Sequence, residues 1–358
     1  MQGFFFDARY IRIDHHDGIS RFSVGLLGAL NKITPITAVI CDLRQLDYLP
    51  TGIEFVKINP PTSALEPFAA LKLNRLGARI VFSPMQTIGS FGRRFQLILT
   101  VHDLIYYRHP TPPPSFALPI RILWRLYHLV YWPQRLLLNR ANAVATVSKT
   151  TANLIASNRL TKRPVAVVYN APDHEPASNI DLHRNRPAGI QRLVYMGSFM
   201  DYKNVEVLVK AMAHLPDYEL HLLSKISPNR KSELDSLVSN QAKVIFHNGV
   251  SDSQYHELVA GAVALVSGSR DEGFGIPLVE AMSVGTPIVV SDIPIFREIG
   301  GDAATYFNQE DHEAFVAAIQ KIQTDANWSD KSQQGIVQAK KFNWENSAKS
   351  LLALLDQI

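Results

Sequence analysis

The stretch of residues 267–292 constrains the fold more than any other part of the chain, because it predicts a strand, a glycine loop, a helix and a second strand. An apolar run at 262–266 is typical of a buried strand, and residues 277–284 have the apolar spacing of a helix that ends at a glycine. Gly273 and Gly275 allow the loop backbone to approach a ligand closely. The free N–H groups and positive dipole end of the helix face the same point, so we expect an anion there.

Two carboxylates accompany this loop. Glu272 lies at its mouth, and Glu280 lies about one turn into the helix. An ionised carboxylate only accepts hydrogen bonds, so it suits neutral hydroxyls such as those of a ribose and a hexose. A phosphate site beside hydroxyl acceptors indicates a nucleotide-sugar. The alternative for Glu280 is an ordinary solvated carboxylate on the helix surface.

The complete run resembles the E-x7-E segment of the retaining glycosyltransferases of family 4. It encloses Gly-Phe-Gly-Ile-Pro-Leu-Val between two glutamates and continues with Glu-Ala-Met, Gly-Thr-Pro and Val-Ser-Asp. The resemblance implies the GT-B fold, an α/β architecture of two Rossmann-like, doubly wound domains that face each other across a cleft. It also implies that the donor is bound by Glu272, Gly273, Phe274, Gly275, Ile276 and Glu280.

Short apolar runs alternate with helix-like segments in two series, which predicts two parallel sheets with helices on both faces. The runs lie at 3–6, 36–41, 55–58, 79–83, 96–101, 143–148 and 165–169, then at 192–196, 219–223, 243–246, 262–266, 287–291 and 304–307. The residues between the two series are rich in Pro, Asp, Asn, His and Arg, as in an interdomain linker. With the resemblance, this predicts an acceptor domain at 1–170, a donor domain at 171–341 and a closing helix at 342–358 that packs on the first domain.

Ligands collect where the strands of such sheets end, so the residues after each strand are candidates. After the first strand, Gly18 matches the family's glycine that admits the donor diphosphate, and Ser20 stands in place of a second glycine. The adjacent His15 and His16 have no matched partner and are interpreted as solvated loop residues rather than a metal pair.

A second signature is His102-Asp103-Leu104, which follows a predicted buried strand. The resemblance implies that His102 lies in the cleft against the transferred hexose, and the alternative is a strand-end histidine satisfied by local hydrogen bonds. Asp103 is interpreted as orienting His102 or capping the next turn. Ser148 and Lys149 match a family position beside the acceptor, although Ser148 equally suits helix N-capping.

The second series opens with Gly197, Ser198 and Lys203, which resemble the family's phosphate loop. The resemblance places Lys203 against the donor diphosphate as a mobile cation. Many relatives carry an arginine where this chain has Ser198. Arg270 and Arg21 are the candidates to replace that cation.

Val250 lies in a turn that resembles the one that meets the nucleobase, although the Ser-Asp pair after it also suits a helix N-cap. The expected mechanism stabilises charge on the leaving diphosphate through Lys203, loop N–H groups and the helix dipole. Lys203, Glu272 and His102 are the predicted catalytic residues. No Asp-x-Asp motif is present, so we expect no metal and no other cofactor.

Composition bounds the remaining possibilities. The chain has 358 residues, of which 46% are hydrophobic and 19% charged, as suits two globular domains. Its one cysteine, Cys41, excludes an intramolecular disulfide and indicates a reducing compartment. No uninterrupted run approaches the ~20 apolar residues of a membrane span, and the start of the chain lacks the order of a signal peptide. We therefore expect a cytoplasmic protein.

Charge is divided unevenly along the chain. Residues 1–170 contain 20 Lys+Arg against 8 Asp+Glu, whereas residues 171–358 contain 16 against 24. The first part is therefore expected to meet something anionic, with a scatter of solvated arginines as the alternative. Residues 114–140 combine two tryptophans and two tyrosines with four arginines and no acid. This composition predicts peripheral contact with an anionic membrane, and the alternative is a core helix that buries the aromatics against the first sheet.

The sequence thus predicts a retaining glycosyltransferase that moves a hexose from a nucleotide-sugar to a glycan or lipid-linked acceptor in cell-envelope polysaccharide or glycolipid synthesis. Motifs of the first domain look like those of bacterial mannosyltransferases, which implies GDP-mannose; UDP-glucose and a deoxysugar nucleotide are alternatives. The E-x7-E run argues against a sugar-nucleotide epimerase of the same architecture. No aromatic-basic stacking platform accompanies the arginines, which argues against a nucleic-acid partner. The sequence predicts no oligomeric state.

Overall fold

The computed structural model describes residues 3–14, 17–112, 117–172, 185–239 and 242–358. Unit 1 comprises Met1–Asp173 and Asn343–Ile358, and unit 2 comprises His174–Phe342. The first division, after residue 173, lies three residues beyond the predicted boundary after residue 170. The second, after residue 342, lies one residue beyond the predicted boundary after residue 341. The histidine pair His15 and His16 lies outside the described residues.

Unit 1 is built on a seven-stranded parallel sheet with the order β3-β2-β1-β4-β5-β6-β7. Its strands are β1 (Phe4–Asp7), β2 (Thr37–Ile40), β3 (Glu54–Lys57), β4 (Ile80–Ser83), β5 (Gln96–Val101), β6 (Ala143–Thr146) and β7 (Val165–Val167). Its helices are α1 (Gly18–Asn31), α2 (Ala69–Arg75), α3 (Ile105–Arg108), α4 (Leu118–His128), α5 (Trp132–Arg140), α6 (Lys149–Ser157) and the C-terminal α14 (Trp344–Leu355). The strand order reverses between β1 and β4, and the carboxyl ends beside such a switch point are where α/β sheets bind ligands.

Unit 2 is built on a six-stranded parallel sheet with the order β10-β9-β8-β11-β12-β13. Its strands are β8 (Gln191–Tyr195), β9 (Tyr218–Leu222), β10 (Lys243–Phe246), β11 (Ala264–Ser267), β12 (Ile288–Ser291) and β13 (Ala304–Phe307). Its helices are α7 (Val205–Ala211), α8 (Pro228–Asp235), α9 (Asp252–Ala260), α10 (Ile276–Ser283), α11 (Pro294–Gly300), α12 (His312–Lys321) and α13 (Asp325–Ala339). The switch point lies between β8 and β11, so the loops that follow these two strands meet.

Each predicted strand run overlaps a strand of the structure, because buried parallel strands are continuous apolar runs that the sequence displays directly. In unit 2 the core includes Trp328, which is fully buried and donates from its indole nitrogen to the Val263 carbonyl at 2.7 Å. The hydrogen bond satisfies the one polar atom of that side chain.

The closing helix α14 belongs to unit 1. A Cβ at Gly25 of α1 would lie 2.1 Å from the Trp344 ring, so only glycine lets the two helices pack this closely. Ser347 of α14 also donates to the Tyr169 carbonyl at 2.7 Å. None of the helices in the described ranges combines the length and the apolarity that crossing a membrane requires.

Candidate functional site

The glycine loop between β11 and α10 has the backbone shape that the sequence predicts. Gly275 precedes α10 with φ 97° and ψ 56°, a left-handed conformation that favours glycine. Among the described residues no side chain caps the start of α10, whose N–H groups and dipole therefore face an open position. Phe274 is buried and packs edge-on against Phe342, with 5.6 Å between ring centroids. This contact anchors the glycine loop. The geometry suits an anionic group.

Lys203 and Glu272 come together beside this loop. The Lys203 ammonium, in a short 3-10 helix after β8, lies 2.5 Å from Glu272 Oε1. The hydroxyl of the fully buried Ser269 donates to the same oxygen at 2.9 Å. One carboxylate oxygen therefore receives two donors, and these contacts orient the other oxygen. Sequence reasoning missed Ser269, because the geometry of a loop is not set by residue spacing.

Asn204 fastens the lysine loop to the glycine loop. Its backbone is left-handed, with φ 48°, a conformation that asparagine tolerates better than most residues. Its amide nitrogen donates to the Gly268 carbonyl at 3.2 Å and to the Gln309 carbonyl at 2.6 Å. A Cβ at Gly268 would lie 2.6 Å from the Val207 side chain, so the two loops pack too closely for any other residue there. Lys203 is thereby held at the start of α10.

Glu280 is buried in α10, with 5% of its surface exposed. The hydroxyl of Tyr255, itself buried in α9, donates to Glu280 Oε2 at 2.6 Å. The alternative of a solvated helix carboxylate is therefore wrong. A buried carboxylate with a positioned donor is a costly arrangement that favours a specific role. Sequence reasoning missed Tyr255. It is 25 residues away from Glu280 in the chain, and only the tertiary fold brings the two together.

The turn before α9 contains Asn248 and Gly249, both with positive φ (54° and 104°). Val250 follows and is partly exposed, and Ser251 then caps α9 with a reciprocal bond to Gln254. The N-cap interpretation of Ser251 is thus confirmed, whereas the contact of Val250 with a nucleobase stays a prediction. Because α9 carries Tyr255, this one helix connects the turn to Glu280.

The loop after β8 is shaped by Tyr195. A Cβ at Gly197 would lie 2.7 Å from the Tyr195 hydroxyl oxygen, which explains the glycine. That hydroxyl donates to the Ser198 carbonyl at 2.6 Å, and burial raises the pKa of Tyr195 well above its usual value. Tyr195 is therefore a neutral donor that fixes the backbone of Gly197 and Ser198.

The cation that would replace the missing arginine at Ser198 was expected to be Arg270 or Arg21. The Arg270 guanidinium is engaged by Glu310, with nitrogen–oxygen distances of 2.6 and 2.8 Å, so its charge is neutralised. Arg21 belongs to unit 1. A third arginine, Arg230 of α8, donates to the carbonyl of the residue after Ser198 at 3.1 Å and pairs with two glutamates. The sequence gives no sign of this contact, because α8 is a polar surface helix.

His102 lies at the end of β5 in unit 1. Its Nε2 is 2.7 Å from the Pro84 carbonyl, and since a carbonyl only accepts, Nε2 carries the proton. Burial lowers the pKa of His102, which keeps the ring neutral and makes Nδ1 an acceptor. The ring packs edge-on against Phe22 of α1 at 5.1 Å. The expected local hydrogen bond is therefore present at one nitrogen, and the other has the chemistry to accept from a sugar hydroxyl.

Gly18 is the exposed first residue of α1. Asp17 caps this helix by accepting from the backbone and hydroxyl of Ser20 at 2.8 and 2.9 Å, and the Ser20 hydroxyl accepts from the Arg12 backbone at 3.0 Å. Ser20 therefore replaces the family's second glycine with a hydroxyl that ties the loop together.

Two further interpretations concern caps. Asp103 accepts from the Ile105 backbone at 3.0 Å, as its capping interpretation predicts. Ser148 caps α6 by accepting from the Thr151 backbone at 3.0 Å.

Within the described ranges no group of three or more His, Cys, Asp and Glu side chains is arranged to hold a metal. Metal independence itself stays a prediction.

Comparison with known proteins gives a family match over part of the chain and similar proteins among both characterised sequences and solved structures. The model of the family described as "Glycosyl transferases group 1" matches residues 183–342. The chain is 27% identical over 326 residues to the O-antigen chain mannosyltransferase RfbU of Salmonella typhimurium, covering 86% of this chain and 87% of that protein.

Among solved structures, sucrose-phosphate synthase from Thermosynechococcus elongatus superposes with a TM-score of 0.70 at 19% identity, covering 99% of this chain and 98% of that one. WaaG, a glycosyltransferase involved in lipopolysaccharide biosynthesis, superposes with a TM-score of 0.66 at 15% identity, covering 97% and 98%. Likenesses at this identity concern the fold, and they confirm the predicted architecture of two Rossmann-like α/β domains.

Proposed function

We propose that this chain, whose fold is that of its GT-B structural neighbours and whose residues 183–342 match the group 1 glycosyl transferase model, transfers mannose from GDP-mannose, with retention, to a glycan or lipid-linked acceptor of cell-envelope polysaccharide or glycolipid synthesis. The name of the Salmonella relative supports mannose and a surface polysaccharide. Cytoplasmic synthesis at the inner face of the cell membrane, with residues 114–140 toward an anionic surface, is part of the proposal.

The observation that carries the proposal is the meeting of Lys203, Glu272 and the start of α10. The ammonium lies 2.5 Å from the carboxylate, in the glycine loop that leads into a helix start without a side-chain cap, where N–H groups suit an anion. In the proposed complex, the diphosphate takes the position at the helix start and draws Lys203 toward itself. Ser269 then keeps Glu272 oriented, so that its carboxylate holds hydroxyls of the hexose.

The nucleoside is proposed to lie along α9 and α10. Glu280, oriented by Tyr255 at 2.6 Å, accepts hydrogen bonds from the ribose hydroxyls. Val250 packs on the base, and the backbone of Gly197 and Ser198 lines the diphosphate. Phe274 supports the glycine loop from below. This division gives the nucleoside and the hexose separate carboxylates.

Catalysis then follows from charge. As the bond between the anomeric carbon and the diphosphate oxygen breaks, negative charge develops on the diphosphate. Lys203, the loop N–H groups and the helix dipole stabilise this charge. The anomeric carbon becomes positive, and Glu272 opposes that charge. His102 accepts a hydrogen bond from a hydroxyl of the transferred sugar at Nδ1, the ring nitrogen that carries no proton. The acceptor hydroxyl attacks on the face of the leaving group and passes its proton to the diphosphate.

We propose that no metal is needed, because Lys203 and the helix start supply positive charge where a divalent ion would act. Sugar transfer is measured with EDTA and after adding magnesium or manganese. Unchanged rates support the proposal, and activity lost in EDTA and restored by a divalent ion refutes it.

Donor identity is tested with GDP-mannose, UDP-glucose and a deoxysugar nucleotide. A donor at 100 times its dissociation constant stabilises the folded protein by about 2.7 kcal/mol, which a thermal shift assay detects. We expect GDP-mannose to stabilise most and to label an added acceptor with mannose. Stabilisation and transfer with UDP-glucose alone would refute the donor assignment. Conversion of the nucleotide-sugar without transfer to any acceptor would indicate an epimerase instead.

A further inference from the structure

Helix α4 presents an apolar surface that nothing in unit 1 covers. None of its residues, all of which the structure describes, is buried. Leu123 is 69% exposed, and the exposed apolar side chains of the helix and its C-terminal extension are Leu118, Ile120, Ile122, Leu123, Leu126, Leu129 and Val130. We call this set the α4 surface. The alternative of a core helix is therefore wrong for α4, whereas Leu138 of α5 does lie in the core. Exposed apolar area of this extent marks a binding surface.

The aromatic side chains explain which way α4 faces. Trp124 of α4 packs edge-on against Tyr106 of α3 at 5.1 Å, and Tyr131, just before α5, stacks on Tyr107 at 4.4 Å. The Tyr127 hydroxyl donates to Gln134 at 3.2 Å. The sequence predicts that these aromatics meet the membrane, and the structure turns these three toward the protein. Trp132 is the exception, with 67% of its surface exposed. The outward side of α4 is instead leucine and isoleucine.

The α4 segment itself carries only positive charges. Arg121 and Arg125 are exposed on α4 itself, four residues apart, and lie beside the apolar side chains. Residues 114–140 contain two further arginines and no acid. An apolar helix face bordered by arginines is complementary to lipid chains beneath anionic head groups. A protein partner would need an apolar groove with acidic edges, whereas an anionic membrane supplies both features without one.

Unit 1 has a second exposed apolar element. Phe91 is 66% exposed and packs edge-on against Phe68, which is 50% exposed, with 5.6 Å between ring centroids. We call these two residues the Phe68–Phe91 pair. The Phe91 backbone donates to the Pro67 carbonyl at 3.2 Å, which fixes the pair. Two large aromatics that leave half or more of their area in water are costly unless something covers them.

One loop is bonded both to the helix after α4 and to the segment that contains the Phe68–Phe91 pair. Residues 84–92 follow β4, and their Gln86 accepts from the buried Gln134 of α5 at 2.7 Å. Three residues later, the Gly89 backbone donates to Glu66 at 3.0 Å, in the short 3-10 helix that also contains Phe68. The loop therefore links the Phe68–Phe91 pair to α5, the helix that follows the α4 surface in the chain.

We propose that unit 1 docks on an anionic membrane through a two-part surface, the α4 surface and the Phe68–Phe91 pair, with Arg121 and Arg125 at the head groups. The proposal rests on the proposed function insofar as it identifies the acceptor as a lipid-linked molecule presented at that membrane. Docking is reversible and salt-sensitive, because it combines shallow apolar insertion with screened charge.

The experiment is cosedimentation of the full chain with phosphatidylcholine vesicles, with and without phosphatidylglycerol. Wild type is expected to bind only the anionic vesicles and to be released by salt. Arg121→Glu/Arg125→Glu should weaken partitioning into the vesicles on the order of tenfold or more. Each arginine near an anionic surface contributes to the binding free energy, and the variant reverses two of these charges. The charge-matched control is Lys210→Glu/Lys321→Glu, which changes two exposed lysines of unit 2 and should bind like wild type.

The apolar contacts are tested separately. Leu123→Ser/Leu126→Ser and Phe68→Ser/Phe91→Ser should each reduce binding at least about fivefold, whereas Val337→Ser, at a position that is 56% exposed in unit 2, should not. Thermal melts identify variants that fail to fold. If a serine variant fails, the arginine variant and the salt titration still test the membrane surface. Normal binding by the phenylalanine variant would remove the pair from the proposal.

Transfer activity separates this inference from the proposed function. Wild type that transfers sugar to a detergent-dispersed acceptor but does not bind anionic vesicles overturns the membrane surface and leaves the transferase intact. Vesicle binding with the expected variant effects, but with no transfer to any acceptor, supports the surface and refutes the proposed function. Sedimentation velocity without vesicles adds a third outcome. A dimer that Leu123→Ser/Leu126→Ser dissociates, together with absent vesicle binding, would make the α4 surface a contact between copies and overturn the proposal.

Discussion

Replacing Tyr255 by phenylalanine removes one hydroxyl and should weaken nucleotide binding without changing the chemistry. The hydroxyl donates at 2.6 Å to the buried Glu280 carboxylate, and a hydrogen bond to a charged group contributes about 1.5–3 kcal/mol. We therefore expect Tyr255→Phe to lower the free energy of unfolding of unit 2 by about 2 kcal/mol, and Tm by about 4–8 °C. Because Glu280 is proposed to hold the ribose, affinity for the free nucleotide and for the full donor should fall equally, on the order of tenfold.

The assay is calorimetric titration with GDP and the full donor, beside initial-rate kinetics. KM should rise while kcat stays near the wild-type value, since the ribose contact is uniform between ground and transition states. Tyr306→Phe is the matched control, because that hydroxyl donates to the Gly301 carbonyl at 2.7 Å in the same unit but away from Glu280. If Tyr255→Phe lost stability as Tyr306→Phe does and bound GDP like wild type, the role of Glu280 as ribose clamp would be refuted.

The other predictions concern the proposed catalytic residues. Glu280→Ala should weaken binding of GDP, whereas Glu272→Ala should leave GDP binding intact and reduce turnover; titration and rate assays together check both, and wild-type behaviour of both variants would contradict the two-carboxylate assignment. Lys203→Ala should lose about 2–4 kcal/mol of transition-state stabilisation, measured as kcat/KM, and an unchanged value would move the diphosphate elsewhere. Because burial lowers the pKa of His102, its ring stays neutral to lower pH than that of an exposed histidine, and its acceptor role should persist with it. The pH profile of wild type against His102→Gln checks this, and an acidic limb at the ordinary histidine pKa that vanishes in the variant would contradict it.

The sheets could be predicted from the sequence because their strands are short, continuous apolar runs buried between helices. β1, β6, β11 and β12, in which every residue is buried, are the clearest examples. Strand ends were less certain, and edge strand β3 is largely exposed, so its limits are one residue off the predicted run. The order of the strands follows from right-handed crossovers and was implied by the family resemblance rather than by the runs themselves.

The candidate site was predictable where one local segment carries it. The glycine loop and Glu272 lie within a few residues of each other, and the pairing of Lys203 with Glu272 follows from the two loops that flank the β8–β11 switch point. Tyr255 and Arg230 act across the tertiary structure, on partners in other helices and loops, and neither has a local pattern that distinguishes it. Such residues are found only when the packing is known.

The orientation of α4 illustrates a different limit. The apolar part of this helix contains both leucines and aromatics, so the apolar pattern alone does not identify which of them pack on the protein. The choice is made by Tyr106 and Tyr107 of α3, which offer aromatic rings that match Trp124 and Tyr131. The interfacial role that the composition predicts for this helix stays a prediction, whereas the assignment of Trp124 and Tyr131 to the outside is wrong, because both pack on α3.

The most direct test of the account is transfer of radiolabelled mannose from GDP-mannose to a lipid-linked oligosaccharide acceptor, with wild type and Glu272→Ala compared at equal saturation with donor. The account predicts label in the acceptor with wild type, release of GDP in equal amount, and strongly reduced label with the variant, which still binds GDP. Label that stays in the nucleotide-sugar or appears only as free sugar, or equal transfer by both proteins, would contradict it.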